Sequence, residues 1–410
     1  MSALAACDQV SHEPQAQLPT YPATGSPTGR PTATAPTPTP DATTQPPGLQ
    51  VVNQVQIQVQ ELAIGLPAPW GIAVLPDATV LLTLRDQAQL VVVDSAALRL
   101  LVGEGQSLTE AEDPNAPAVI TQVTGPGAQF LKQTTTTAGE GGLLAVALAP
   151  GYRNGGQIYL YRTTTREGEI LNQVWRGQLR DAQLGELTLV VDDIPGAQVH
   201  NGGGLGFGPD GQLYIGTGDA KTSPMAQNPD STSGKILRVQ LDGSPAPGNP
   251  IPDNPLWSLG HRNVQGFGWD PWGRMFASEF GQNSFDELNL IVPGQNYGWP
   301  KVEGVPAGDA ASWSATPLQT WTPAQASPSG LALTNEGIYL AGLRGQTLWR
   351  VGLGNLTATP QPVLQGYGRL RAVTALPTGD LLVLTNNTDG RGEPTKADDR
   401  LLLLRVKPLD

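Results

Sequence analysis

A histidine followed by three glycines is the first feature of this sequence with the chemistry of a reactive site. His200 opens the segment HNGGG (200–204), and Asp219 ends the next apolar strand after one hairpin's length of chain. An imidazole can act as a general base near neutral pH, and a carboxylate beside it can fix its tautomer. We therefore predict that His200 and Asp219 form a catalytic pair at one rim of the fold. A loop histidine without a chemical role is the alternative.

Four arginines form a second group, in a chain that has only 24 basic residues among 410. Arg262 stands beside Asn263 in the segment GHRNVQG, and Arg344 lies in a later loop. Arg369 and Arg371 alternate along one strand and so share a face. Fork-like donors of this kind suit carboxylates and carbonyl-rich ligands. Their convergence on one place would indicate a multiply charged anion, whereas a structural role would require acidic partners there.

The segment SEFGQNSFDE (278–287) offers backbone carbonyls and carboxylates, which are the oxygen ligands that calcium prefers. It lacks the spacing of an EF-hand, so alone it is weak support for a calcium site. One cysteine and three histidines exclude a disulfide framework, a thiolate zinc site, a multi-histidine metal centre and covalently attached c-type haem.

The elements that position these residues must be strands, because 50 Gly and 38 Pro make about a fifth of the chain. Both residues are unfavourable inside helices. The net charge of −12 argues against nucleic acid or an anionic membrane surface as a partner. No apolar stretch is long enough for a membrane span.

One unit recurs six times, and its clearest copy joins the turn GPDG (208–211) to the strands LYIGTGDA (213–220) and KILRVQL (235–241). Similar turns stand at positions 76, 150, 271, 335 and 377. Repeats of this kind predict an all-β fold, a six-bladed β-propeller over residues 51–410. The alternating segment 51–62 is expected to supply the outer strand of the last blade. A pair of β-sandwiches is the alternative fold.

The N-terminal residues have a different composition. Residues 8–50 hold ten Pro and nine Thr with few bulky apolar residues, which predicts a disordered, extended tether. Cys7 follows Leu4, Ala5 and Ala6, a pattern similar to a bacterial lipobox within residues 1–7. We expect an exported protein that is anchored to the cell surface through a lipid on Cys7. An incidental cysteine is the alternative.

Five blocks of the sequence resemble the soluble sugar dehydrogenases that depend on pyrroloquinoline quinone (PQQ), with the likeness greatest to an actinobacterial lipoprotein branch. The resemblance runs from about residue 67 to 406 and implies a six-bladed propeller. The blocks are GEGGLLAVALAP (139–150), HNGGGLGFGPDGQLYIGTGD (200–219), GHRNVQGFGWD (260–270), SEFGQNSFDELNLIVPGQNYGWP (278–300) and RLRAV (369–373).

This resemblance implies roles for the reactive residues. His200 matches the base that takes the proton of the sugar's anomeric hydroxyl while hydride passes to the quinone, and Asp219 matches the carboxylate that orients it. Arg262 and Asn263 match donors to the quinone. PQQ is a planar tricarboxylate, which explains why arginines surround it, and a hard cation polarises its quinone carbonyl.

The same resemblance implies the remaining cofactor contacts. Arg369 and Arg371 match a pair that faces the carboxylates of PQQ, and Arg344 stands where the family usually has Lys. Glu140 also falls at the cofactor site, where soluble glucose dehydrogenase has Gln, and adds a negative charge.

The metal ligands follow from the resemblance too. The carbonyls of Gly281 and Gln282 match those that hold the calcium at the cofactor, whereas Glu287 and Tyr297 match ligands of a second, structural calcium. Two further departures from the family pattern are Gly204, in place of an Arg, and Leu84, in place of a Glu.

The expected function is therefore PQQ- and calcium-dependent oxidation of aldoses to lactones. Electrons would pass to an external acceptor, because the chain has no haem motif. A calcium-stabilised propeller that binds sugar or protein without redox chemistry is the alternative. A lactonase-type hydrolase is disfavoured, because matched Asp, Glu and Asn residues do not recur at successive rims.

Overall fold

The computed structural model describes residues 49–52, 55–102 and 113–408. The predicted lipobox with Cys7 lies outside this range, and so does the predicted tether except its last two residues, which begin the first strand. Neither helix within the described ranges is long and apolar enough to cross a bilayer.

Each repeated turn is the tight connection between the first two strands of a sheet. In the third unit the amide of Gln212 donates to the Asp210 carboxylate (3.1 Å), and Gly208 donates to the carbonyl of Gln212 (3.0 Å). Gly211 has a φ of 75°, which a residue with a Cβ adopts only with strain. The Gly-Pro-Asp-Gly turn thus places a strand on either side of itself, and the sequence pattern had identified only the second of them.

Six antiparallel sheets follow one another along the chain. Blade 1 contains β3 (Pro69–Val74), β4 (Val80–Leu84), β5 (Gln89–Asp94) and β6 (Val119–Gln122). Blade 2 contains β7 (Leu143–Leu148), β8 (Gln157–Arg166), β9 (Glu169–Arg180), β10 (Gln183–Leu184) and β11 (Thr188–Pro195). Blade 3 contains β12 (Gly204–Phe207), β13 (Leu213–Gly216), β14 (Lys235–Val239) and β15 (Leu256–Leu259). Blade 4 contains β16 (Val264–Trp269), β17 (Met275–Glu279), β18 (Asp286–Ile291) and β19 (Gln319–Trp321). Blade 5 contains β20 (Pro328–Leu333), β21 (Gly337–Gly342), β22 (Leu348–Gly352) and β23 (Gln361–Leu364). Helices α1 (Ala96–Val102) and α2 (Pro126–Thr134) connect strands in the first third of the chain, and short 3₁₀ helices span Ser223–Gln227 and Gly308–Ser312.

Blade 6 combines strands from both ends of the described chain. It contains β24 (Leu370–Ala375), β25 (Leu381–Thr385), β26 (Leu401–Pro408), β2 (Val55–Ala63) and β1 (Leu49–Val52). Strand β2 pairs antiparallel with β26 over nearly its whole length, from Val55 opposite Pro408 to Ala63 opposite Leu401. The predicted six-bladed propeller is therefore confirmed, and the segment predicted as an outer strand of the last blade lies there.

The apolar core is divided among the interfaces between neighbouring blades. Within the described residues, six clusters of buried side chains join neighbouring sheets. For example, Leu144 of blade 2 packs with Ile215 and Leu237 of blade 3. Burying one such side chain contributes about 1.5–3 kcal/mol. Because the blades pack face to face around a ring, their inner strands surround an axial channel.

Candidate active site

A cavity of about 480 Å³ opens at one end of this channel, bounded by the loops of all six blades. It falls within the usual size range of small-molecule sites. Six arginines and two carboxylates line it, so positive charge dominates. These charged residues are Arg85, Arg262, Arg344, Arg369, Arg371, Arg391, Glu140 and Asp389. His200, Asn263, Gly281 and Gln282 also line this cavity.

His200 reaches the cavity because of an unusual local backbone. Its φ is 62°, in the left-handed region that few residues other than glycine adopt. Gly203, three residues later, has a φ of 114°, and a Cβ there would lie 2.8 Å from the Trp70 ring. The glycine run thus lets the chain pass against Trp70 and enter β12 with the imidazole directed inward. Strained residues of this kind concentrate at functional sites.

The predicted histidine–carboxylate pair is present in the structure. His200 Nδ1 lies 2.8 Å from Asp219 Oδ1, and Asp219 Oδ2 accepts a hydrogen bond from Trp299 Nε1 (2.9 Å). The backbone amide of Lys221 donates to Oδ1 as well (2.9 Å). Burial opposes ionisation of this carboxyl, but the bonds from His200, Trp299 and Lys221 hold its pKa below the usual range. Asp219 is therefore an anion that can orient the imidazole and stabilise its protonated form.

Arg262 contacts the other nitrogen of the same imidazole. Its Nη2 lies 2.9 Å from His200 Nε2, and its Nη1 makes a long contact with the Phe280 carbonyl (3.4 Å). Its Nε is buried without a hydrogen-bond partner. The guanidinium carbon lies 5.5 Å from the centre of the Trp299 ring. Burial lowers the pKa of Arg262, and the nearby carboxylates of Asp219 and Glu279 oppose that shift.

The neighbouring histidine of the GHRN segment has a structural position. His261 is fully buried, with Nδ1 2.8 Å from Glu279 Oε2 and Nε2 2.8 Å from the Ser258 hydroxyl. The other oxygen of Glu279 accepts the backbone amide of Arg262. Glu279 thus holds the segment that carries Arg262 from two sides.

Asn263 joins the two main motifs. Its amide oxygen accepts a hydrogen bond from the backbone N–H of Gly202 (2.9 Å), which ties the GHRN segment to the histidine loop. Its amide nitrogen remains as a donor at the cavity. The residue is 3% exposed, so this bond lies in a dry environment.

Lys235 holds the loop that follows Asp219. Its buried ammonium donates to the carbonyls of Met225 (2.8 Å), Ala226 (3.0 Å) and Ser233 (2.6 Å). Burial lowers the pKa of Lys235 to about 7. The three bonds tie the 3₁₀ helix in the middle of this loop to Ser233, near the loop's end.

Arg369 and Arg371 both line the cavity as expected, but an acidic partner accompanies them. Asp389 Oδ2 accepts hydrogen bonds from Arg369 Nε (3.1 Å) and Nη2 (2.8 Å), and Arg371 Nη2 lies 3.6 Å away. Burial alone would raise the pKa of Asp389, but the two guanidinium groups hold it below its ordinary value. Arg371 also donates to Asn386 (2.8 and 3.0 Å) and Gln265 (2.9 Å). This arginine pair therefore carries a net charge of about one rather than two.

Glu140 bridges the histidine loop and the last blade. One of its oxygens accepts the backbone N–H of His200 (2.9 Å), and the other pairs with Arg391 Nη1 (2.8 Å). Its negative charge is therefore partly compensated. Arg85 pairs with Asp86 at 2.5 Å.

Arg344 is the most open of the predicted cationic residues. It is exposed at the cavity, and within the described part of the chain it makes no ion pair or side-chain hydrogen bond. Its guanidinium is therefore available to an anion that enters the cavity.

The loop that begins at Gly281 lines the cavity with its first two residues, Gly281 and Gln282. Glu303 Oε1 accepts the backbone amides of Gln282 (2.5 Å), Asn283 (3.0 Å) and Ser284 (3.0 Å). Among the described residues nothing donates to the carbonyl oxygens of Gly281 and Gln282. The amides are thus satisfied, while two carbonyl oxygens stay available as hard ligands. Within the described residues no three His, Cys, Asp or Glu side chains cluster in a way that could hold a metal.

Glu287 and Tyr297 do not join the main cavity but line a small neighbouring one, together with Glu279 and Glu303. Burial, and then the charge of Glu279, raises the pKa of Glu287 to about 8. The Tyr297 hydroxyl donates to the Leu290 carbonyl (2.6 Å) and accepts the Val292 amide (2.9 Å). A metal ligand from Tyr297 would therefore be its backbone carbonyl.

Two of the departures from the family pattern, Gly204 and Leu84, have packing reasons. A Cβ on Gly204 would lie 2.8 Å from a carbon of the Phe267 ring, so a larger residue has no room there. Leu84 is 3% exposed in the apolar cluster between blades 1 and 6, where a glutamate would lose its hydration.

Sequence reasoning missed Asp389, Arg85, Arg391 and Glu303. A signal was available for the first two, because each follows the second strand of its blade, as Asp219 and Arg344 do. Aligning the six units by these strand ends would have brought them to notice.

The fold and the cavity define a class: a six-bladed propeller with a cationic axial site and a histidine–carboxylate pair at its wall. The family model for glucose/sorbosone dehydrogenase matches residues 66–403. A solved structure of the PQQ-bound aldose sugar dehydrogenase from Streptomyces coelicolor is 40% identical, with a TM-score of 0.74, over 86% of this chain and 99% of that one.

Two curated relatives are similar to this chain and indicate the same family. The aldose sugar dehydrogenase YliI of Escherichia coli is 27% identical over 82% of this chain and 91% of its own length. Quinoprotein glucose dehydrogenase B of Acinetobacter calcoaceticus is 35% identical over 40% of this chain and 41% of its own length. The chain belongs to the glucose/sorbosone dehydrogenase family, so the predicted family is confirmed.

Proposed function

We propose that this protein oxidises aldose sugars to lactones with PQQ as the hydride acceptor and calcium as a second cofactor, and passes the electrons to an external acceptor. The observation that carries the proposal is the contact of His200 with Asp219 at the wall of a cavity lined by six arginines. The first feature suits proton abstraction, and the second suits a polyanionic cofactor.

The cavity fits a planar tricarboxylate by charge and by donor chemistry. Its guanidinium groups outnumber its carboxylates by three to one. Arg262 has a buried N–H without a partner, and Arg344 is free of ion pairs in the described chain. Arg262, Asn263, Arg344, Arg369 and Arg371 would hold the cofactor.

The chemistry of the chain's own residues is general base catalysis. When bound, PQQ would supply a carbonyl that accepts hydride from the anomeric carbon of the sugar. His200 Nε2 accepts the proton of the anomeric hydroxyl, since Nδ1 faces Asp219. Asp219 stabilises the imidazolium that forms, and Glu140 fixes the backbone of His200. The enclosed arginines and carboxylates interact more strongly than they would in water.

A calcium ion fits the same cavity through the carbonyl oxygens of Gly281 and Gln282. Two protein oxygens are fewer than the six to eight that calcium takes, so cofactor oxygens and water would complete the shell. Its chemistry would be that of a Lewis acid. A second calcium would use Glu287 and the backbone of Tyr297, and its charge would favour the ionised carboxylate.

The test is reconstitution of the cofactor-free protein with PQQ and calcium, followed by dye reduction across a panel of aldoses. We expect PQQ binding by absorbance and turnover that is lost in His200→Ala, while PQQ affinity changes little. Absence of PQQ binding would refute the proposal. Binding without turnover on any aldose would favour a sugar- or protein-binding propeller instead.

We also propose export and lipid anchoring through Cys7, which the lipobox-like segment of the sequence supports. Labelled palmitate should be incorporated into the full-length protein in bacteria and be absent from Cys7→Ser. Equal labelling of both proteins would contradict the proposal.

A further inference from the structure

The contact between Arg262 and the reactive histidine fixes which nitrogen carries the proton. An arginine guanidinium only donates hydrogen bonds, so His200 Nε2 must present its lone pair to Arg262 Nη2 at 2.9 Å. The proton then lies on Nδ1, 2.8 Å from Asp219 Oδ1. His200 is therefore in the tautomer that a general base requires. The lone pair that would accept the substrate proton, however, is already occupied.

Apart from its contact with His200, the Arg262 guanidinium makes only weak hydrogen bonds. Its Nε is buried without a partner, and its bond to the Phe280 carbonyl is 3.4 Å long. Within the described residues no carboxylate lies within ion-pair distance of it, although Asp219, Glu279, Glu140 and Glu303 influence it from farther away. A buried guanidinium with unused donors gains free energy when a carbonyl or carboxylate ligand arrives.

We propose that Arg262 is a positioning residue that caps His200 Nε2 in the cofactor-free protein and releases it when a carbonyl-bearing anionic ligand fills the cavity. The inference rests on the proposed function for the identity of that ligand. Arg262 turns its N–H groups to the ligand, and Nε2 becomes free for the sugar hydroxyl. The base is thus available only when the hydride acceptor is already in place.

The cap can be measured without turnover, through the reaction of His200 with diethyl pyrocarbonate, which needs a free imidazole lone pair. Carbethoxylation of the His200 peptide is followed by mass spectrometry in the cofactor-free, full-length protein. We expect Arg262→Met to accelerate it at least about tenfold. That factor corresponds to about 1.4 kcal/mol, the low end for one charge-assisted hydrogen bond.

Arg344→Met is the matched control, because it removes a cavity arginine that does not contact His200. We expect it to react at the wild-type rate within about twofold, far below the tenfold effect. Equal rates for wild type and Arg262→Met, or equal acceleration by both variants, would overturn the cap. The buried His261 reports on folding, because its rate must stay low in all three proteins. Arg262→Lys retains a donor and should react more slowly than Arg262→Met, and equal rates for these two variants would count against the cap.

The release step has its own readout in the ¹⁵N resonances of the histidine rings. The chain has three histidines, so His200→Gln assigns the signal. In wild type, PQQ should move the Nε2 resonance toward its position in cofactor-free Arg262→Met. An unchanged resonance with PQQ shown by absorbance to be bound would overturn the release. Absence of PQQ binding would instead refute the proposed function. The contact of Arg262 with His200 in the cofactor-free protein would then be judged by the carbethoxylation rates alone.

Discussion

Replacing Asp219 by Asn changes one atom and separates orientation of the imidazole from its electrostatic stabilisation. Asp219 Oδ1 accepts two hydrogen bonds, from His200 and the Lys221 amide, while Oδ2 accepts one from Trp299. The asparagine oxygen will therefore take the Oδ1 position, which leaves its NH₂ facing the Trp299 N–H. The bond to His200 persists, but the negative charge beside the imidazolium is gone.

The size of the effect follows from that lost charge. Opposite charges about 4 Å apart interact by about 4 kcal/mol at an effective dielectric constant of about 20. Each 1.36 kcal/mol is about a factor of ten in rate, so kcat should fall about 10³-fold. The unpaired N–H groups should also lower the free energy of unfolding by about 1–3 kcal/mol.

The assay is steady-state dye reduction at saturating PQQ, calcium and aldose, with PQQ affinity measured separately. We expect that affinity to stay within about threefold, a difference below 1 kcal/mol. The matched control is Asp210→Asn, which removes the negative charge that pairs with Arg238 beside the turn at the opposite end of the same blade. Asp210→Asn should lower the free energy of unfolding and leave kcat unchanged. A loss in kcat of less than tenfold for Asp219→Asn would refute the electrostatic reasoning.

Three further predictions concern charge. Asp389→Asn breaks the buried pair with Arg369 and should lower the free energy of unfolding by about 3–5 kcal/mol while tightening PQQ binding; weaker binding in a titration would contradict the charge argument. Lys235 has a pKa of about 7 in the folded protein and 10.5 in the unfolded chain. Between these two pH values the unfolded chain therefore keeps a proton on Lys235 that the folded protein has lost. Stability relative to Lys235→Met should therefore rise with pH by about 1.4 kcal/mol per unit above pH 7, and a flat difference in urea denaturation would contradict this. Calcium at about 100 times its Kd should stabilise the protein by about 2.7 kcal/mol, less so in Glu287→Gln, and EGTA should reverse the gain in thermal denaturation; equal gains in both proteins would exclude Glu287 as a ligand.

The strands of this fold were predictable because each turn carries its own local signal. The predicted segments 213–220 and 235–241 contain β13 and β14, which begin at the same residues. The innermost strands were harder to find. In β12 and β16 glycines alternate with larger residues where the blades meet, so these strands lack a continuous apolar pattern.

The site was predictable where a motif is contiguous and obscure where partners come from distant blades. His200 and Asp219 belong to one blade, and their contact followed from hairpin geometry. The pairing of Glu140 with Arg391, by contrast, joins the loop before blade 2 to a loop of blade 6, and no motif connects the two. Such pairings depend on how loops fold over the cavity, which period and composition do not encode.

The sheet that joins β2 to β26 also has a consequence for the order in which the protein is made. Strand β2 precedes blades 1 to 5 in the chain, yet its partner β26 follows all of them and is therefore synthesised after them. Blades 1 to 5 can form from contiguous sequence, whereas the ring closes only after β26 is available. The entropy of closing the long loop between β2 and β26 slows this step. A permuted gene that moves β1 and β2 behind β26 would give every blade a contiguous sequence and should close the ring faster.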